Sequence, residues 1–147
     1  MARIVVGVDG SEHATQALDR AVQEARLRGA KLEVVHALPE PVMFADPVFA
    51  PPTPIAKLRV AGAELIEKAL TAVNVDGLEI GRTVAVGHTA QVLCHAAEGA
   101  DLLVVGSRGY GGFRGLLVGS VTHQVVAHAP CPVLVVVPEG RGRRRDG

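Results

Sequence analysis

Five short apolar runs, separated by stretches of helical periodicity, constrain the fold of this chain more than any other feature. Ile4 to Val8 is apolar and β-branched apart from Gly7, the composition of a strand covered on both faces in a parallel sheet. Asp9-Gly10-Ser11 then supplies a turn and an N-cap, and Ala14, Leu18, Ala21, Val22 and Ala25 recur at helical spacing until Gly29. Leu32 to Leu38 is the second strand, and residues 39 to 54 carry six of the nine prolines, which predicts a loop. Ile55, Leu58, Leu65, Ile66, Ala69, Leu70 and Val73 predict a longer amphipathic helix with Gly77 beyond its end. Leu78 to Val86 is a strand of mixed polarity, Gly87-His88-Thr89 is a turn, and Thr89 is placed to cap a helix carrying Val92, Leu93, Ala96 and Ala97. Leu102 to Val105 is fully apolar, which predicts a central strand. Ser120 to Ala129 is the last helix, and Pro130-Cys131-Pro132 leads into a fifth strand at Val133 to Val137. Strict alternation of strands and helices predicts a single-domain α/β fold, a three-layer sandwich whose parallel sheet carries helices on both faces.

At 147 residues the chain is the size of one core, and no internal repeat or second domain is evident. Its 48% hydrophobic and 20% charged composition excludes a disordered chain. Aromatic residues make up only 3% and Trp is absent, so stacking platforms for single-stranded nucleic acid are scarce. Fifteen basic and fifteen acidic side chains cancel, and no global field steers the chain toward polyanions. The basic residues are nonetheless uneven: Arg141, Arg143, Arg144 and Arg145 crowd the last seven residues. We therefore expect a domain over residues 1–138 and a disordered Arg-rich tail over 139–147. Cys94 and Cys131 are far apart in sequence without a CxxC, which suggests two small core residues and no disulfide framework. The apolar stretch after Met1-Ala2-Arg3 is too short for a signal peptide or a membrane span, so a cytoplasmic protein is expected.

In open parallel sheets ligands bind beyond the carboxyl ends of the strands, where the strand order reverses. Six of the 17 glycines fall in the segment from Gly106 to Gly119, directly after the fourth strand and before Ser120. Glycine allows positive φ and close backbone approach, so successive amides can form an anion nest, and a helix beginning at Ser120 adds its positive end. Phosphate is the natural guest. The plain alternative is a flexible connection whose glycines only relieve crowding. Neither a G-x-G-x-x-G after the first strand nor a G-x-x-x-x-G-K-[ST] loop is present, which disfavours nicotinamide chemistry and P-loop hydrolysis.

The spacing Gly106-x2-Gly109-x9-Gly119-Ser120 resembles the nucleotide-binding signature of the universal stress protein family, Gly-x2-Gly-x9-Gly-(Ser/Thr). Further matching stretches are Val6-Gly7-Val8-Asp9-Gly10-Ser11, Val35-His36-Ala37, Val104-Val105-Gly106-Ser107-Arg108-Gly109, Gly119-Ser120-Val121-Thr122 and Ala129-Pro130-Cys131-Pro132-Val133-Leu134. The resemblance covers nearly the whole chain. It implies a Rossmann-like sheet ordered 3-2-1-4-5, a homodimer paired through the fifth strand at Val133 to Val137, and bound ATP; Mg accompanying that ATP is expected in preference to a bound Zn. It also implies site roles. Asp9 would contact the ribose or adenine side, with Gly7 allowing close approach, and Ala37 would line the adenine pocket where some relatives carry a larger Val. Gly106, Ser107, Arg108 and Gly109 would border the ribose and phosphates, and Gly119, Ser120 and Val121 would bind the phosphates.

Other residues carry less. Asp9 is also a suitable helix-capping turn residue, and Arg108 or Arg114 is either a phosphate partner or a solvated loop charge. His123 and His128 are five apart and face different sides of their helix, and none of the six histidines has metal-ligand spacing. His36 suits a core hydrogen bond or the neighbourhood of a nucleotide, and His88 is a speculative general base. No nucleophile and base are legible as a pair, so no catalytic residue is assigned. The expectation is an ATP-binding stress or regulatory protein with little or slow hydrolysis. The alternatives are a genuine ATPase or phosphotransferase, distinguished by turnover, and a nucleotide-free interaction dimer. No membrane partner is expected, and nucleic acid is disfavoured.

Overall fold

The computed structural model describes residues 2–39, 54–108 and 119–138. Most of the proline-rich loop, of the glycine-rich segment including Gly109 and Arg114, and the whole Arg-rich tail lie outside the described residues. The chain runs β1 (Arg3–Gly7), α1 (Glu12–Arg28), β2 (Lys31–Leu38), α2 (Ile55–Thr71), β3 (Ile80–Val86), α3 (Thr89–Ala96), β4 (Leu102–Gly106), α4 (Ser120–His128) and β5 (Val133–Val136). The strands form one parallel sheet in the order β3-β2-β1-β4-β5. β1 therefore holds the middle, and the apolar β4 lies beside it as an interior strand.

Side chains alternate along each strand and divide the core in two. Ile4, Val6, Leu32, Val34, Leu102 and Val104 face α1 and α2, together with Leu18, Ala21 and Ile66. Val5, Val35, Leu103 and Val105 face the opposite way and pack on Ala90, Val92 and Leu93 of α3 and Val125 of α4. The mixed polarity of β3 and the half-buried residues of β5 follow from their places at the two edges.

Pairing shifts the expected strand ends. Arg3 joins β1 opposite Lys31, and β3 begins at Ile80 opposite Leu32. The Arg3 side chain also braces a helix. Its guanidinium pairs with Glu33 at 2.6 Å and donates to the carbonyls of Ala96 and Glu98, tying the end of α3 to the sheet. The expected cap at Thr89 is not what forms. α3 already includes Thr89, His88 stands in the cap position, and no side chain there closes the helix start. Cys94 and Cys131 are half-buried rather than interior, and Cys131 packs at the margin of the core under α3 and α4. Burial pushes both thiols up from their ordinary pKa. Among the described residues no helix is long and apolar enough to cross a membrane.

Candidate functional site

The sheet order reverses at β1: the chain leaves it toward β2 on one side and returns to β4 on the other. A cleft of about 280 Å³ opens at that reversal, beyond the carboxyl ends of the strands. Its walls come from every neighbouring element. Gly7, Val8 and Asp9 follow β1, Val35 and Ala37 belong to β2, Thr89 and Leu93 to α3, and Val105, Gly106 and Arg108 to the end of β4; Ala14 and Gly119 to Thr122 complete it.

Local structure explains how each wall is set. Asp9 Oδ1 accepts a 2.9 Å hydrogen bond from the Ser11 amide, and the buried Ser11 Oγ accepts one of 3.2 Å from the Ala14 amide. Asp9 is thus a turn residue and a cleft residue together. α4 begins differently. Gly119 takes the cap position with no side-chain hydrogen bond, so the first amides of α4, which have no intrahelical acceptor, open on the cleft through Ser120, Val121 and Thr122. The Thr122 hydroxyl donates at 2.6 Å to the Gly106 carbonyl and fixes α4 against the end of β4.

Two glycines are there for their neighbours. A Cβ on Gly106 would come within 3.0 Å of the His13 carbonyl oxygen and 3.3 Å of that of Arg108, so the bare α-carbon lets the first turn of α1 approach β4. A Cβ on Gly7 would lie 2.8 and 2.9 Å from the Leu93 methyl carbons. Gly7 thus makes room for the Leu93 side chain while itself lying on the wall of the cleft.

Of the residues expected to form a site, the structure gathers Gly7, Asp9, Ala37, Gly106, Arg108, Gly119, Ser120 and Val121 around this cleft. Ser107 is not on its wall. Its side chain is buried and its Oγ lacks a hydrogen-bond partner among the described residues, while its backbone joins β4 to its neighbours: the Ser107 amide donates to Val136 and its carbonyl accepts from Gly119 at 2.7 Å. His36 Nδ1 lies 2.8 Å from the Val8 carbonyl, a contact that requires the proton on Nδ1 and fastens β2 to the end of β1. His88 is absent from the wall of the cleft as well.

Sequence reasoning did not assign Val8, Ala14, Val35, Thr89, Leu93, Val105 or Thr122 to the site. The strand and helix residues among them are legible in the sequence only as core, since periodicity does not reveal which apolar residues sit beyond a strand end. Chemically the cleft has two ends. Val35, Ala37 and Leu93 form an apolar side, and Arg108 with the open start of α4 forms a side suited to negative charge. A ligand with a flat, weakly polar ring and an anionic tail matches both.

A parallel α/β domain ordered 3-2-1-4-5, with a cleft at its strand-order reversal and an open helix start beside it, is a Rossmann-like fold. The family model described as "Universal stress protein family" matches residues 1–137. The chain is 41% identical over 140 residues to the "Universal stress protein in QAH/OAS sulfhydrylase 3'region" of Thermus aquaticus, covering 90% of this chain and 96% of that one. It therefore belongs to the universal stress protein family. Among solved structures it is similar to a universal stress protein in complex with cAMP, at 31% identity and a TM-score of 0.65, with 92% of this chain and 96% of that one covered. It is also similar to the universal stress protein from Archaeoglobus fulgidus in complex with dAMP, at 28% identity and a TM-score of 0.66, with 92% and 97% covered.

Proposed function

We propose that this universal stress protein binds ATP in the cleft and acts as a nucleotide-dependent regulatory protein of the cytoplasm, with the nucleotide stabilising one conformation or dimer state by differential affinity. The observation that carries this is the polarity of the cleft: the apolar side chains Val35, Ala37 and Leu93 on one side, and Arg108 with the uncapped start of α4 on the other. The complexes of two related proteins with cAMP and dAMP support an adenine nucleotide as the ligand. Adenine lies against Ala37, the ribose beside Asp9, and the phosphates along Gly106, Arg108, Gly119, Ser120 and Val121; Gly109 is assigned to the phosphates by the family signature alone. Mg enters with the triphosphate, and Asp9 is the one carboxylate among the described residues of the wall.

Hydrolysis is slow in this proposal. The Asp9 carboxylate is already engaged by the Ser11 amide, and no histidine lies on the described wall to orient water. β5 is a short, apolar edge strand with Val137 exposed just beyond it, and it supplies the pairing edge of a homodimer. The test is extraction of small molecules from freshly purified protein, read by mass spectrometry, followed by ATP titration with Mg if none is retained. Retained or titratable ATP with an ATP:ADP ratio steady over hours is the expected result. Multiple-turnover release of ADP would replace it with an ATPase, and no adenine nucleotide under either condition would leave an interaction dimer.

A further inference from the structure

The polar side chains of the cleft are unequally committed. Asp9 serves the turn before α1, and the Thr122 hydroxyl is spent on the Gly106 carbonyl. Ser120 and Arg108 belong to the anionic side. Thr89 differs from all of these in position. It is the first residue of α3, and one helical turn before Leu93, so the two side chains share one face of that helix. Leu93 in turn is packed over Gly7 so closely that a Cβ there would be met at 2.8 Å. That contact holds the shared face of α3 over the carboxyl ends of β1 and β2, where Ala37 lies.

Thr89 is thus the only side-chain hydroxyl among the described residues on the apolar side of the cleft. It is exposed, no side chain caps α3, and its hydroxyl has no hydrogen-bond partner among the described residues. We infer that Thr89 is a specificity-determining residue, its hydroxyl hydrogen-bonding the polar edge of the base while Ala37 and Leu93 hold the ring. This rests on the nucleotide-binding proposal above and adds to it the side-chain contact that reads the base. An apolar pocket alone discriminates weakly among flat rings, whereas a positioned hydroxyl favours a ring with a polar atom at its edge.

The test uses the full chain and calorimetric titration of ATP and of AMP into wild type, Thr89→Val and Thr89→Ser. Val keeps the branched shape without the hydroxyl, and Ser keeps the hydroxyl. Thr89→Val is expected to weaken both nucleotides by the same factor, roughly three- to tenfold for one neutral hydrogen bond. Thr89→Ser is expected to bind both as wild type does. An equal factor places the contact on the portion that ATP and AMP share, and a parallel titration of GTP assigns it to the base: Thr89→Val is expected to narrow the preference for ATP over GTP, and an unchanged ATP:GTP ratio overturns the inference. The inference is overturned if Thr89→Val binds as wild type does, if its loss is confined to ATP, or if Thr89→Ser is as weak as Thr89→Val. Wild-type protein that binds neither nucleotide overturns the nucleotide proposal itself, an outcome distinct from wild type that binds both with Thr89→Val unimpaired.

Discussion

α1 and α4 both start at the carboxyl edge of the sheet beside the same cleft, yet they end their backbones in opposite ways. At α1 the Ser11 hydroxyl accepts from the Ala14 amide, and the Asp9 carboxylate accepts from the Ser11 amide. The chain closes that helix start with its own oxygens. At α4 the cap is Gly119, no side chain reaches the first turn, and the wall of the cleft is formed by Ser120, Val121 and Thr122. One helix start is satisfied internally and contributes stability. The other leaves its first amides without an internal acceptor, where the proposed function places the phosphates. The contrast teaches that a short polar side chain before a helix closes its start locally, whereas a glycine there leaves the first amides without an internal acceptor.

The largest expected effect comes from closing α4 in the manner of α1. Gly119 has φ −70°, which any residue adopts, and a Cβ there would stand 3.5 Å from the Ser107 carbonyl oxygen, an ordinary contact. Gly119→Asp should therefore fold, gain a few tenths of a kcal/mol from its new cap, and lose ATP affinity by roughly 10- to 100-fold through charge repulsion with phosphate. Titration calorimetry beside thermal melting checks this, and ATP binding undiminished in the folded variant would show that α4 is not the anion site.

A middle-sized effect tests the joint between the two helices. In Gly106→Ala the added methyl meets the backbone carbonyls of His13 and Arg108, neither of which swings aside as a side-chain tip would. Destabilisation of roughly 1–3 kcal/mol in denaturant unfolding is expected, with weaker ATP binding as the first turn of α1 moves from β4. Retained stability would mean that the close approach is not required.

The smallest effect removes the closure of α1. Ser11→Ala should cost about 1 kcal/mol, seen as a fall in Tm of about 2–4 °C for a chain of this size, while ATP affinity stays near wild type because Ser11 lies off the wall of the cleft. A large loss of affinity with little change in Tm would reverse the roles assigned to the two helix starts.

Much of this contrast is legible in the order of residues alone. Asp9-Gly10-Ser11 announces a cap because short polar side chains reach backbone amides two or three residues on, a purely local interaction. The spacing of Gly106, Gly109 and Gly119 before Ser120 likewise resembles the family's nucleotide-binding signature. Thr89 is harder to read, because a threonine after His88 has the same local signature whether it caps a helix or begins one. Ser107, within the glycine signature, stands off the wall because the hydrogen bonds of its backbone with Val136 and Gly119 set its direction, and those partners are distant in sequence. Gly7 has the sequence context of a residue that makes room for a ligand, but its neighbour Leu93 arrives from a helix more than 80 residues away.

The sequence by itself determined the succession of strands and helices, the parallel two-faced core and the position of the glycine-rich segment after β4, because periodicity, caps and turns act over a few residues. Only the tertiary structure decided which residues share the cleft. Its two sides are assembled from strand ends and helix starts that parallel crossovers bring together from across the chain, and the face of α3 presented to the cleft is fixed by Leu93 packing over Gly7, a long-range contact that no local pattern encodes.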